Sequence, residues 1–415
     1  MSKPFRLTEI KHAATLDGML GSAEKQDSIL ESTAHMKEQP SDGINITPPL
    51  AEGCAVGIRH FHAIDRNRGD VTTGTRQFMI TTFYPGKFSK DAPKSCLIDI
   101  LRPRVDEALQ FLARESGLNE AGKTDVFEHL KKLMLRAQYN LDLQSAGRFP
   151  VLIYYPGGQG HRLTNAALCE TLASRGFVVF ALDAPRDAPV VVFPDGRMAT
   201  PPAPDGESYI WPRVADVRFL INQLEKESPA FFTRHLDTGR IGMFGHSRGG
   251  YLSNICAVED NRIRAAVNMD GFLWGIWAQQ GTGLNEFSPE FAKRARVMTT
   301  PVLRIRGDQG SKEKARLDFE EESRDFGGDF ISAALHGFKH GDFVTAPWLN
   351  GASPDFATNA NHPIPSTEHV QLMTDLLVDF FETYVTGRRL QMTLMTKRKP
   401  AMDVFFRLKN DPQDF

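Results

Sequence analysis

From Phe149 onward, short continuous apolar runs alternate with amphipathic segments. The runs are Val151–Tyr155, Phe177–Leu182, Ile241–Phe244, Ala265–Met269, Val302–Ile305 and Phe330–Leu335. Runs of this length without polar alternation suit strands buried on both faces, as in a parallel sheet wrapped by helices. Arg304 interrupts the fifth run, so its pattern is the weakest. Between the second and third runs, Val214, Val217, Ile221 and Leu224 share one helical face. After the last run, Val370, Met373, Leu377, Phe380 and Tyr384 do the same.

Upstream, Ala55–Ile64 and Arg76–Tyr84 read as strands, and the turn-rich DRNRGDVTTG between them makes an antiparallel hairpin. Residues 97–147 carry helical spacing, in Val105, Leu109 and Leu112 and again in Phe127, Leu130 and Met134. The stretch 39–50 (QPSDGINITPPL) reads as a loop or linker. This division predicts one large domain over 51–387, with extensions at 1–50 and 388–415. The proline-rich stretch 184–212 shows no clear element, and neither does 271–300. Both are expected to line a pocket, because in such sheets the segment after a strand lies at the carboxyl edge, where ligands bind. An ordinary surface loop is the plainer reading of 184–212.

Composition narrows the class. The chain has 415 residues, a formal net charge of -2 and 41% hydrophobic residues, ordinary values for a soluble globular protein. One α/β domain takes roughly 250–300 residues, so one domain plus extensions fits the length. The near-zero charge gives no support for nucleic-acid binding. Cys54, Cys96, Cys169 and Cys256 are far apart, without a C-x-x-C pair, which argues against common zinc spacings and a dense disulfide scaffold. They read as buried or idle thiols, with a single disulfide left open. His60 and His62 form an H-x-H without a supporting carboxylate or cysteine cluster, so no metal is expected there. The first twenty residues lack the apolar core of a signal peptide, and no apolar run reaches the length of a membrane span. A cytoplasmic chain without integral membrane association is the expectation.

The strongest chemical signal is Gly245-His246-Ser247-Arg248-Gly249, a G-x-S-x-G. It follows the strand-like Ile241-Gly-Met-Phe and precedes Gly250-Tyr-Leu-Ser-Asn-Ile-Cys-Ala-Val, a plausible packed helix. Strand, tight turn and helix is the context that presents a serine hydroxyl on a sharp turn, with a helix N-terminus beneath it. Ser247 is the candidate nucleophile. A serine hydroxyl needs a base, expected beyond the last strand. His336, His340, His362 and His369 all follow Val302–Ile305. His340, in the loop after Phe330–Leu335, is the candidate base, and His336 a structural neighbour. For the acid, Asp270 and Asp308 each follow a strand, and periodicity does not separate them. The oxyanion hole needs two N–H groups. Arg248 supplies one, and the loop Tyr155-Pro-Gly-Gly-Gln-Gly160 the other, from Gly158, with Gly157 and Gln159 as alternatives. Gln159, Phe272 and Trp274 are candidate pocket residues, and Trp277 is a further aromatic nearby. These aromatics read equally well as core.

These segments resemble the platelet-activating-factor acetylhydrolase-like branch of the α/β-hydrolases over about residues 55–387. The resemblance rests on Ala55-Val-Gly-Ile-Arg, Phe83-Tyr-Pro-Gly, Phe149-Pro-Val-Leu-Ile-Tyr-Tyr-Pro-Gly-Gly and Ser174-Arg-Gly-Phe-Val-Val. It also rests on Gly245-His-Ser-Arg-Gly-Gly, Val267-Asn-Met-Asp-Gly-Phe and His340-Gly-Asp-Phe. It implies the α/β-hydrolase fold: a mostly parallel central sheet with an N-terminal antiparallel hairpin and helices on both faces. It implies a Ser-His-Asp triad in which the acid is Asp270 and the base is His340, with Gly158 and Arg248 as oxyanion donors. Neither metal nor organic cofactor is implied. The implied activity is hydrolysis of carboxylic esters with short acyl chains or phospholipid-like leaving groups. The chain departs from the family at Pro156-Gly157, where His-Gly is common. An acyltransferase or lactone-handling enzyme on the same triad is the alternative, as is a non-catalytic binding protein of the same fold.

Overall fold

A computed structural model describes residues 8–9, 43–50, 52–70, 73–115, 127–128, 130–144, 147–185, 187–201, 210–226, 228–273, 289–307, 310–324, 326–345, 367–388 and 402–409. In chain order its strands are β1 (Thr8–Glu9), β2 (Ile44–Asn45), β3 (Ala55–Asp70), β4 (Gly74–Gly86), β5 (Lys94–Cys96), β6 (Leu133–Tyr139), β7 (Phe149–Tyr155) and β8 (Val178–Leu182). They continue with β9 (Val191–Val192), β10 (Met198–Ala199), β11 (Leu236–His246), β12 (Ile263–Met269), β13 (Val302–Arg306), β14 (Phe330–Leu335) and β15 (Met402–Arg407). The α-helices are α1 (Val105–Glu115), α2 (Ala166–Ser174), α3 (Ile210–Lys226), α4 (Arg248–Glu259), α5 (Pro289–Val297), α6 (Lys312–Ser323) and α7 (Thr367–Tyr384).

Thirteen strands form one sheet in the order β15-β14-β13-β12-β11-β7-β8-β4-β3-β6-β2, with β1 on β3 and β5 on β6. All six apolar runs are strands of its parallel part. Alternation along β7 shows why those runs had to be continuous. Leu152 and Tyr154 enter the core that contains α2 and α7, while Val151, Ile153 and Tyr155 enter the one that contains α3 and α4. Both faces are covered, so polar residues have little place. Within the six runs Asn268, Ser332 and Arg304 are the exceptions, and Arg304 remains buried because its guanidinium lies 2.5 Å from the Glu322 carboxylate on α6.

β8 pairs with one side of β7 and β11 with the other. The order of connection therefore reverses between β7 and β11, and a crevice opens at their carboxyl ends. Those two ends carry the glycine loop 156–160 and Ser247.

The structure departs from the sequence reading in several places. The β3–β4 hairpin continues through DRNRGD with a register shift between Asp65 and Gly69. These polar residues remain in strand because Arg68 and Arg76 both pair with the buried Asp216 of α3. Met134 lies on β6 rather than on a helix, since pairing with β3 and β5 overrides its local spacing. Within 184–212, β9 and β10 form a small hairpin, with Val191, Phe193 and Ala188 clustered around Met79. α3 starts at Ile210, with Pro212 in its first turn, where a missing N–H costs nothing. Sheet strands also come from the terminal extensions: β2 pairs with β6, and β15 lies antiparallel on β14.

Candidate active site

The local fold around Ser247 follows from four glycines. A Cβ on Gly249 would sit 2.0 Å from the Tyr155 carbonyl oxygen, and one on Gly245 would sit 2.4 Å from the Gly249 carbonyl carbon. No other residue type allows β7, β11 and α4 to approach so closely. Gly250 and Gly271 close the other side, against the Asn268 side chain. Between them Ser247 takes φ 54 and ψ -120, a left-handed conformation that a serine adopts only when its surroundings impose it. Its N–H donates to the Met269 carbonyl at 2.8 Å, and its carbonyl accepts from Tyr251 N–H at 3.0 Å. The side chain is half-buried.

Asp270, at the end of β12, also has positive φ, 51. Its N–H donates to the Ile305 carbonyl at 2.7 Å, tying it to β13. Its Oδ1 accepts from Gly307 N–H at 3.0 Å, and its Oδ2 lies 2.7 Å from His340 Nδ1. Burial alone would raise its carboxyl pKa, but the hydrogen bonds from His340 and Gly307 outweigh burial and hold it below the usual range. The imidazole is thus anchored through Nδ1, which leaves Nε2 as its working nitrogen.

The backbone of His340 is anchored as well. His246 Nε2 donates to the His340 carbonyl at 3.0 Å, and the two rings lie 4.5 Å apart. Phe343 is fully buried and stacks on His246. Thr345 N–H then donates to Asn165 Oδ1 at 2.9 Å, joining the loop to the start of α2. Burial, and next the neighbouring His340, push the His246 pKa down to about 3. His246 is therefore neutral at working pH and adds no charge to its neighbour.

The glycine loop after β7 faces this pair. A Cβ on Gly157 would meet the Ser247 Cβ at 3.2 Å, so the loop lies directly beside the serine. Gly160 N–H donates to the Gly157 carbonyl at 3.2 Å and closes the turn. Gln159 at its tip is exposed, with φ 59. The loop continues into Arg162, whose N–H and guanidinium both bind Asp183 at the end of β8. Arg248 opens α4, so its backbone N–H belongs to the turn that has no intrahelical acceptor.

The structure pairs Asp270 with His340 and sets the loop of Gly157 and Gly158 against Ser247 and Arg248. His336 faces away, 3.2 Å from Asp403 on β15. Phe272 is 43% exposed, two residues beyond Asp270. Asp308, Trp274, Trp277 and His362 lie outside the described residues. His60 is buried against Thr81, and His62 pairs with Gln77. All four cysteines are free, and among the described residues no helix is long and apolar enough to cross a membrane.

Three features were not legible in the sequence. His246 occupies a variable position of the motif, and only contact with His340 shows its role. The Arg162–Asp183 pair joins two loops that no short-range pattern links. Asp187 lies in the proline-rich stretch and binds both Arg213 of α3 and Arg248.

Comparison with known proteins places this geometry. Residues 76–193 match the model of the family described as "Platelet-activating factor acetylhydrolase, isoform II". A protein of Arthroderma benhamiae named "Probable 1-alkyl-2-acetylglycerophosphocholine esterase" is 36% identical over 144 residues, covering 32% of this chain and 34% of that protein. The chain thus matches about a third of the length of that relative. A solved ferulic acid esterase from Streptomyces cinnamoneus superposes with a TM-score of 0.65 at 23% identity, over 88% of this chain and 99% of that one. The chain therefore has the α/β-hydrolase fold and is similar, over residues 76–193, to the isoform II platelet-activating-factor acetylhydrolase family.

Proposed function

We propose that the protein is a serine esterase that cleaves carboxylic esters through an acyl-enzyme. Ser247 Oγ attacks the ester carbonyl while His340 Nε2 takes its proton. Asp270 accepts the Nδ1–H of His340, keeps that tautomer, and offsets the positive charge of the imidazolium. The N–H groups of Gly158 and Arg248 bind the tetrahedral oxyanion, which collapses as the alcohol leaves with the proton from His340. Water, deprotonated by the same imidazole, then releases the acid and restores Ser247.

The observation that carries this reading is the Asp270–His340 contact of 2.7 Å on the sheet edge that also presents Ser247 on a left-handed turn. The name of the Arthroderma benhamiae relative supports a short acyl group on a phospholipid-like alcohol as the substrate class. Labelling with a fluorophosphonate, together with hydrolysis of 4-nitrophenyl esters from acetate to decanoate, tests it. Labelling and turnover should both vanish in Ser247→Ala, and turnover should fall as the acyl chain lengthens. Labelling that survives in Ser247→Ala overturns the assignment of the nucleophile.

A further inference from the structure

The side chain of Arg248 has a place that the chemistry above does not use. Its Nη1 donates to Asp187 Oδ1 at 2.7 Å, and among the described residues the guanidinium makes no other hydrogen bond. The group is 46% exposed, whereas Asp187 is 7% exposed. It lies flat against the glycine loop: a Cβ on Gly158 would meet Arg248 Cζ at 2.8 Å and both Nε and Nη2 at 3.0 Å. The guanidinium therefore borders the backbone N–H groups of Gly158 and Arg248, where a substrate carbonyl oxygen would bind.

Asp187 does not neutralise this cation alone. Its other oxygen pairs with Arg213, which is buried, lies over the Tyr155 ring at 5.8 Å, and leaves Nη1 buried without a partner among the described residues. One carboxylate thus serves two guanidiniums. The excess positive charge falls on Arg248, the member of the trio that solvent reaches. A guanidinium offers a planar set of donors matched to carboxylate and phosphate oxygens.

We infer that Arg248, tethered by Asp187, is a specificity-determining residue that binds an anionic group, carboxylate or phosphate, carried by the substrate close to its scissile ester. The inference rests on the esterase reading and adds a charge requirement to it. Gly158 takes part because any side chain there would displace the guanidinium. Asp187 takes part because it holds the guanidinium beside the oxyanion hole.

The test compares kcat/KM for charged and neutral partners of the same shape. One pair is mono-4-nitrophenyl glutarate against 4-nitrophenyl pentanoate, which places a carboxylate on the acyl part. The other is 1-acetylglycerol 3-phosphate against 1-acetylglycerol, which places a phosphate on the alcohol part. Wild type, Arg248→Lys and Arg248→Gln are measured on both pairs. The charged-to-neutral ratio is taken on one preparation, so it does not depend on the folded fraction. We expect wild type to favour the charged member of at least one pair by about tenfold. That preference should fall with added salt, be partly kept in Arg248→Lys and be lost in Arg248→Gln. The pair that responds identifies the anion. Turnover of neutral and charged esters at equal rates in wild type, or a ratio unchanged in Arg248→Gln, overturns this inference alone. Absence of turnover of every ester in wild type overturns the esterase reading and the inference with it.

Discussion

His340 Nδ1 and Asp270 Oδ2 meet at 2.7 Å across 70 residues of chain. Asp270 is fixed on three sides, by the Ile305 carbonyl, by Gly307 N–H and by the imidazole. Asp270→Asn keeps the shape but favours the wrong imidazole tautomer. It should lower kcat by about 10³–10⁴-fold, with far less effect from Asp308→Asn. Steady-state hydrolysis of 4-nitrophenyl acetate checks it, and equal losses in the two variants would reject Asp270 as the acid.

His246 holds the backbone of His340 without titrating. Because burial keeps its pKa near 3, its ring should show no protonation step between pH 5 and pH 9. The imidazole resonance that disappears in His246→Gln identifies it in a pH-dependent NMR series. His246→Ala removes the hydrogen bond to the His340 carbonyl and should lower kcat by about 10²-fold, the cost of a displacement on the order of 1 Å. A resonance that moves near pH 6.5 would contradict the neutral imidazole.

Gly249→Ala forces a methyl to within 2.0 Å of the Tyr155 carbonyl. The overlap is with backbone, so it cannot be relieved by a side-chain rotation. Destabilisation of at least about 1–3 kcal/mol is expected, together with loss of fluorophosphonate labelling. Gly69→Ala serves as the control, because its Cβ would have 3.9 Å of clearance. Chemical denaturation of the two variants should separate them clearly.

Glu170 of α2 is fully buried and accepts from the Thr47 hydroxyl. Burial raises its pKa from 4.5 to about 7, against the lowering effect of Thr47 and nearby backbone N–H groups. The folded state therefore holds a proton that the unfolded chain releases near pH 4.5. Its stabilising contribution is complete below that pH and is lost as pH rises toward 7, by about 3 kcal/mol. Glu170→Gln cannot ionise, so its stability relative to wild type should increase between pH 5 and pH 8. A thermal-unfolding series over that range checks the sign, and a difference that stays constant with pH would show that Glu170 does not ionise there.

Local chemistry dictates part of the fold, and that part is legible in the order of residues. A strand covered on both faces must be largely apolar, so the six runs are β7, β8 and β11–β14. A nucleophile on a sharp turn needs glycines at fixed offsets, so Gly245, Ser247 and Gly249 stand out. Other features depend on distant partners. Met134 carries helical spacing yet lies on β6, and DRNRGD reads as a turn yet continues β3, because Asp216 supplies the opposite charge. β15 has no readable signal, because its pairing with β14 is fixed by a strand edge far away in sequence.

What the amino-acid sequence by itself determined was the parallel sheet, the elbow at Ser247 and the short set of residues able to serve as acid, base and oxyanion donors. Spacing alone did not choose between Asp270 and Asp308; family resemblance did, and the tertiary structure supplies the contact with His340. Only that structure revealed the support of His340 by His246 and the sharing of Asp187 between Arg213 and Arg248. The physical reason is range: periodicity and turn chemistry act over a few residues, whereas a hydrogen bond across the sheet edge exists only once β11, β12 and β14 lie in register.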